Sequence, residues 1–434
     1  MKIDLSDEGD ELIFSFVFQD GDVREPSTNF SIGDSAVRVA LNGADASSIH
    51  PDLIALSSIL MCHPFVGKEL YFPLPVSSRF EEAIGRVVSR YKFISEVNTP
   101  VEHRKVRDSF RPGLAFSGGV DSTAALSVLP ADTAPIFMQR PLRGKTLYNP
   151  DAALNSCKAL RELGFDVRVI QCDVEYLRKP VGFPTDLSHA IPAILLSDEL
   201  FLDSIAFGTV LESAFGIGHE VFREYGKGSH WRFYGGLFEA AGVQMSLPVA
   251  GISEVGTAII TNSDPLGELS QSCIRGTWGE PCGNCWKCCR KGLLGMALGI
   301  NYIDVEQGRE MFSSNEVMKK MSSVPISHEN VIEYSIQRVG DHIHPIMPLL
   351  RERVDRGSDL EILENWYSPS IEFVPEKYRR KVREKILRYL RPMTEEKEEF
   401  LKEWTMEEFL KTNETRSRAE RILKISDSTG VNFE

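Results

Sequence analysis

Phe14, Phe16 and Phe18 alternate along LIFSFVF, and Val37, Val39 and Leu41 alternate along AVRVAL. A period of two marks half-buried strands. Further on, Ser78 and Glu81 stand at capping-box spacing, and Phe80, Ile84, Val87 and Tyr91 share one helical face. Residues 1–105 therefore predict a small α+β region that shows no chemistry of its own.

Over residues 106–300 the pattern changes. Short apolar segments GLAF (113–116), APIFM (134–138), DVRVIQ (166–171) and SIAFG (204–208) alternate with helical stretches. One of these, DAALNSCKALREL, puts Ala153, Cys157, Leu160 and Leu163 on one stripe. Such alternation predicts an α/β fold with a doubly wound parallel sheet. Residues 301–434 read as a helical, charged C-terminal region. Within it KYRRKVREKILRYLR (377–391) has eight basic residues, with Tyr378, Val382, Ile386 and Tyr389 on one face. That helix either meets nucleic acid or lays a solvated basic face over a core.

A chain of 434 residues accommodates two or three such domains. The acidic opening MKIDLSDEGDEL has no signal-peptide character, and no apolar run approaches the roughly 18 residues of a membrane span. The expectation is a cytoplasmic protein. A net charge of −13 disfavours nucleic acid and anionic membrane as partners. Of eight cysteines, Cys62, Cys157 and Cys172 are scattered, while Cys273, Cys282, Cys285, Cys288 and Cys289 are clustered. In a reducing compartment clustering points to metal before disulfide.

The densest chemistry lies in GLAFSGGVDSTAAL (113–126), where a predicted strand runs through Ser117-Gly118-Gly119-Val120-Asp121-Ser122 into a helix. Ligands of open parallel sheets bind beyond the carboxyl ends of strands. Gly118 and Gly119 let the backbone approach an anion, the helix start favours phosphate, and Ser117 and Ser122 add hydroxyl donors. Asp121 would repel phosphate unless a cation such as Mg²⁺ bridges the two. A glycine-rich turn capped by Asp121 is the plain alternative. The loop lacks the spacing and lysine of a Walker A loop and is not GxGxxG.

The second constellation is CIRGTWGEPCGNCWKCCRKG (273–292), or Cys273-x8-Cys282-x2-Cys285-x2-Cys288. Four thiolates so spaced close a tetrahedral, structural Zn²⁺ site. An iron–sulfur cluster is the alternative metal group. Cys289 competes with Cys288 as fourth ligand.

The SGGxDS loop resembles that of the PP-loop ATP pyrophosphatases, whose fold is a HUP-like adenine nucleotide hydrolase sheet. With the cysteine pattern about 150 residues later, the segment 110–300 is similar to the 7-cyano-7-deazaguanine synthase family. The resemblance implies ATP and Mg²⁺ held by Ala115, Phe116, Ser117, Gly118, Gly119, Val120, Asp121, Ser122 and Met138. Ser117, Asp121 and Ser122 would act in cleavage between the α and β phosphates, and Zn²⁺ would be structural. It also implies a deazapurine carboxylate as substrate and ammonia or an amine as nitrogen donor. The long flanks resemble extended members found in antiphage-defence gene clusters, which implies a partner protein.

The middle departs from the family. Its Lys-x-Glu helix start retains only Glu254, with Ile252 or Ser253 at the lysine position. Its Gly-Arg-Asn element has no match near Asp186, and 228–232 replaces its Gly-Tyr-Pro-Asp-Cys-Arg stretch. Candidate substrate contacts are then Gly208 and Glu212 after SIAFG, the stacking pair Trp231 and Arg232, and Glu254. For each of the glutamates a helix-start role is the alternative. His189, His219 and His230 read as packing residues before catalysts, and Cys172 as a candidate sulfur carrier. Three functions follow as expectations: a carbon–nitrogen ligase, a tRNA thiolation or lysidine-type enzyme, and a catalytically silent zinc-stabilised scaffold.

Overall fold

The structure is a computed structural model that describes residues 1–97, 99–219, 221–357 and 359–428, with side chains up to Leu423. The first sheet comprises β1 (Lys2–Asp7), β2 (Glu11–Val17), β4 (Ala36–Ala40), β5 (Glu69–Phe72) and β6 (Lys92–Ser95), in the order β4-β2-β1-β5-β6. The short β3 (Ser31–Ile32) pairs instead with β10 (Arg178–Lys179). Phe14 and Phe16 are buried as the alternation requires, while Phe18 lies just past β2 and is half-buried.

Two helices accompany this sheet, α1 (Pro51–Cys62) and α2 (Ser78–Val87). The cap of α2 is Ser77, whose hydroxyl accepts from Phe80 N, so the expected box from Ser78 is displaced by one residue. Ser77 is held there by Asp52 of α1, which accepts from its N–H at 2.8 Å and from its hydroxyl at 2.5 Å. Tyr91 falls beyond the end of α2 yet is buried, its ring against His63 and its hydroxyl 3.1 Å from His63 Nδ1.

The second sheet is wholly parallel: β7 (Arg111–Phe116), β8 (Ala134–Gln139), β9 (Arg168–Gln171), β11 (Leu202–Ala206) and β12 (Gln244–Ser246), ordered β12-β11-β7-β8-β9. The chain therefore winds outward from β7 to one edge, then returns to wind outward on the other side. Between and after its strands run α3 (Val120–Val128), α4 (Asp151–Glu162), α5 (Ile191–Leu195), α6 (Leu211–Phe215), α7 (Gly236–Ala240) and α8 (Glu254–Ser263). Cys157 and Leu160 of α4 are buried, but the helix ends at Glu162 and leaves Leu163 60% exposed. The two sheets meet edge to edge: Val39 bridges Cys172, and Asp173 accepts from Arg38 N at 2.7 Å.

The remainder is helical: α9 (Trp286–Ala297), α10 (Val305–Phe312), α11 (Asn315–Met321), α12 (Glu329–Arg338), α13 (Met347–Val354), α14 (Glu376–Ile386), α15 (Glu395–Lys402), α16 (Glu407–Lys411) and α17 (Asn413–Ser428). It does not stand apart. Tyr378, Val382 and Ile386 of the basic helix α14 share a core with Ala124, Ala125 and Val128 of α3. Lys385 donates to the carbonyl oxygens of Ser127 and Leu129, satisfying the carbonyl end of α3. The apolar face of α14 is thus spent on folding. Among the described residues no helix is long and apolar enough to cross a membrane.

Candidate functional site

β7 ends at Phe116 and α3 begins at Val120, so loop 117–122 caps the strand from which the sheet winds both ways. Crevices at such reversals are where open α/β sheets take ligands. Gly118 adopts φ +75°, and a Cβ there would lie 3.1 Å from Ala153 Cα. The loop is braced internally: Ser117 N donates to Ser122 Oγ at 3.3 Å, the two hydroxyls are 3.0 Å apart, and Ser122 Oγ donates to Gly119 O at 3.0 Å. Across the crevice, just past β11, a Cβ on Gly208 would come within 2.8 Å of Ser122 N. A glycine is required there by the close approach of two backbones. Beside the loop opens a cavity of about 640 Å³, lined by Ser117, Asp121, Ser122 and Gly208 together with Asp186, Arg223, Tyr225 and His230.

Asp121 is oriented from two later elements. Thr257 Oγ1 on α8 donates to its Oδ1 at 2.8 Å, and Lys291 Nζ on α9 lies 3.3 Å from the same oxygen. Lys291 also reaches Glu254 Oε2 at 2.9 Å, while Arg290 and His328 approach Glu254 Oε1 at 3.1 and 2.9 Å. Burial opposes ionisation of Glu254, yet Lys291, His328 and Arg290 outweigh it and hold its carboxyl well below the usual range. Glu212 behaves oppositely. Burial first, and the Glu254 charge second, push its carboxyl up to about 8.

The Sγ atoms of Cys273, Cys282, Cys285 and Cys288 all lie within 4.8 Å of one another, close enough to hold a metal ion. Cys285 caps α9 and Cys288 sits in its first turn, where helix geometry turns the next residue, Cys289, into the core at 0% exposure. Cys288 is therefore the fourth member. Backbone N–H groups of Arg275 and Cys282 point at Cys273 Sγ, and that of Cys288 at Cys285 Sγ, each at 3.4 Å. Hydrogen bonding, from the Cys288 thiol above all, pulls Cys285 down to about 5. Four clustered sulfurs fed by N–H donors fit a thiolate-held divalent metal. The cluster also grips the loop: Gln271 N donates to Gly118 O at 2.8 Å, and Val120 N donates to Ser272 Oγ at 3.3 Å.

The remaining residues singled out from sequence are dispersed. Ala115 lines the cavity, whereas Phe116 and Met138 are buried in the sheet. Glu212 is 0% exposed, and both its oxygens accept from Glu254 N while Asn330 Nδ2 donates to Oε1, so it joins α6 to α8 and α12 instead of facing the cavity. Glu254 is likewise buried beneath Asp121. Trp231 packs on Phe373 and, with Arg232, lines a different cavity of about 1000 Å³. His189 and His230 line the loop cavity, and His219 lies against His328. Cys172 is 1% exposed, its thiol pushed far up by burial, and serves as the bridge between the sheets.

Sequence reasoning missed Thr257, Lys291, His328 and Asn330. Two carried a legible signal, since Thr257 stands three residues after Glu254 and Lys291 three after Cys288, both on one helical face. For His328 and Asn330 no local pattern exists.

A model of a family of unknown function, DUF6395, matches residues 233–405, less than half of the chain. That span holds Glu254, the cysteines, Lys291 and α12, and leaves out loop 117–122. No curated protein and no solved structure matches the chain.

Proposed function

We propose that this protein is an ATP-dependent, AMP- and pyrophosphate-forming carbon–nitrogen ligase of the PP-loop type, similar to 7-cyano-7-deazaguanine synthase. Its substrate is the carboxylate of a 7-deazaguanine, and its nitrogen donor is ammonia or an amine, including one on a partner protein. The observation that carries this reading is the SGGVDS loop at the reversal point of a parallel sheet, opening on a cavity of about 640 Å³.

Loop N–H groups and the start of α3 are suited to phosphate oxygens. Asp121 suits Mg²⁺: its Oδ1 is engaged by Thr257 and Lys291, while Oδ2 has no hydrogen bond among the described residues. When bound, Mg²⁺ would neutralise charge on the phosphates. Zn²⁺ in the four-cysteine cluster would hold loop 271–285 against the nucleotide loop. In the first half-reaction a substrate carboxylate oxygen bonds to the α-phosphorus and the bond to the β-phosphate oxygen breaks, releasing pyrophosphate. Nitrogen then adds to the carbonyl carbon, AMP leaves with the carbon–oxygen electron pair, and the nitrogen loses its proton to solvent. Positioning and charge compensation would supply most of the acceleration.

A silent nucleotide-binding scaffold is the second reading, favoured by the sealed Glu212 and by Trp231 and Arg232 facing elsewhere. A sulfur-transfer variant finds no support in the buried Cys172. The deciding experiment is ATP–pyrophosphate exchange with 7-carboxy-7-deazaguanine, its amide and its nitrile. Exchange with one of them, lost in Asp121→Ala, is expected; ATP binding without exchange supports the scaffold.

A further inference from the structure

Three cations on one helix confront two carboxylates behind the loop. Lys287, Arg290 and Lys291 lie on α9, with Lys287 and Lys291 four residues apart on one face. Against them stand Asp121 and Glu254, while both oxygens of Glu212 are turned to Glu254 N and Asn330 Nδ2 and pair with none of the three. The cluster has surplus positive charge before any contribution from His328.

That surplus has no protein acceptor. Lys287 is exposed, stands one turn before Lys291 on α9, and has no hydrogen-bond or ion-pair partner among the described residues; desolvation lowers its ammonium pKa, and Asp121 is the charge that most opposes this. Arg290 is 8% exposed, and its Nε is a buried donor with no acceptor. A buried, unsatisfied guanidinium donor is costly in a folded protein unless a ligand completes it. Lys291 meanwhile is parked on Asp121, the carboxylate that a divalent cation would claim. An anion arriving with its cation can therefore exchange partners with this pair, the cation taking Asp121 and the anion taking Lys291.

We propose that Lys287, Arg290 and Lys291 form a polyphosphate clamp facing loop 117–122, which grips the β- and γ-phosphates of ATP and the pyrophosphate released from it. The clamp rests on the ATP-cleaving reading above and adds to it a second wall. It also explains a joint use of α9, whose first turn carries Cys288 of the metal cluster and whose next residues carry the clamp. Three charged donors suit a chain of phosphates better than a single carboxylate.

Calorimetric titration of the full-length, metal-loaded protein with ATP, inorganic pyrophosphate and AMP, all with Mg²⁺, tests this. Lys287→Gln and Lys291→Gln are each expected to weaken ATP and pyrophosphate by about tenfold or more, with AMP changed less than threefold and metal content intact. Lys291→Arg is expected to restore most of the affinity, which a merely structural role for the buried ammonium would not predict. Exposed Lys287 keeps the test open should Lys291→Gln fold poorly. Wild-type ATP and pyrophosphate affinity in Lys287→Gln and any folded Lys291→Gln overturns the clamp and leaves the ATP-cleaving reading standing. A metal-loaded wild-type protein that binds neither ATP nor pyrophosphate overturns both.

Discussion

Thr257 donates its hydroxyl to Asp121 at 2.8 Å, joining the first turn of α3 to the first turn of α8 across 136 positions of sequence. The same carboxylate oxygen is approached by Lys291. Asp121 is therefore aimed by tertiary contacts, and that makes its orientation testable apart from its charge.

Thr257→Val keeps the shape of a fully buried side chain and removes only the donor. A hydrogen bond to a charged group contributes about 1.5–3 kcal/mol. Pyrophosphate exchange is expected to fall roughly ten- to hundredfold, while the melting temperature moves by only a few degrees. Exchange assays alongside thermal melts check both halves.

Gly208→Ala places a Cβ 2.8 Å from Ser122 N and 2.9 Å from the Asp121 carbonyl carbon, both backbone atoms. Overpacking of this kind costs about 1–3 kcal/mol. A lower melting temperature together with lost nucleotide binding is expected. At Gly119 a Cβ comes no closer than 3.4 Å to any atom, the nearest being Ser272 Oγ, so Gly119→Ala is expected to melt near wild type.

The four-cysteine cluster makes a prediction that separates neighbours. Cys288→Ser removes one of four gathered sulfurs, whereas Cys289→Ala trims a core side chain. Elemental analysis is expected to find one metal ion per chain in wild type and in Cys289→Ala, and far less in Cys288→Ser. Chelation of wild type is expected to loosen loop 117–122, read as faster amide exchange at Val120 and Gln271, because Gln271 N donates to Gly118 O and Val120 N donates to Ser272 Oγ.

Glu212 sets a pH dependence. Its carboxyl is raised to about 8, above its ordinary value of 4.5. Between those values the unfolded chain has released a proton that the folded chain retains, so stability falls as pH rises through the window. Glu212→Gln has no proton to lose. Its melting temperature is expected to decline less than that of wild type between pH 5 and pH 8; an equal decline would contradict the assignment.

Local patterns were enough for the strands at 113–116 and 134–138, for the glycine-serine loop and for the cysteine spacing, since periodicity, turn chemistry and ligand spacing act over a few residues. They erred where a neighbour decided the boundary. Ser77 takes the cap of α2 from Ser78 because Asp52 holds it, and Leu163 leaves its stripe because α4 ends one residue earlier.

Amino-acid order alone determined that a glycine-serine loop follows a strand and that sulfurs can gather near one helix start. Only the tertiary structure decided that Cys288 and not Cys289 joins the cluster, and that Glu212 is sealed behind Asn330. It alone decided too that Lys291, 170 residues from Asp121, stands beside it. The reason is physical: a charge buried far from its partner in sequence is paired by whichever helices pack there, and no local period records which helices those are.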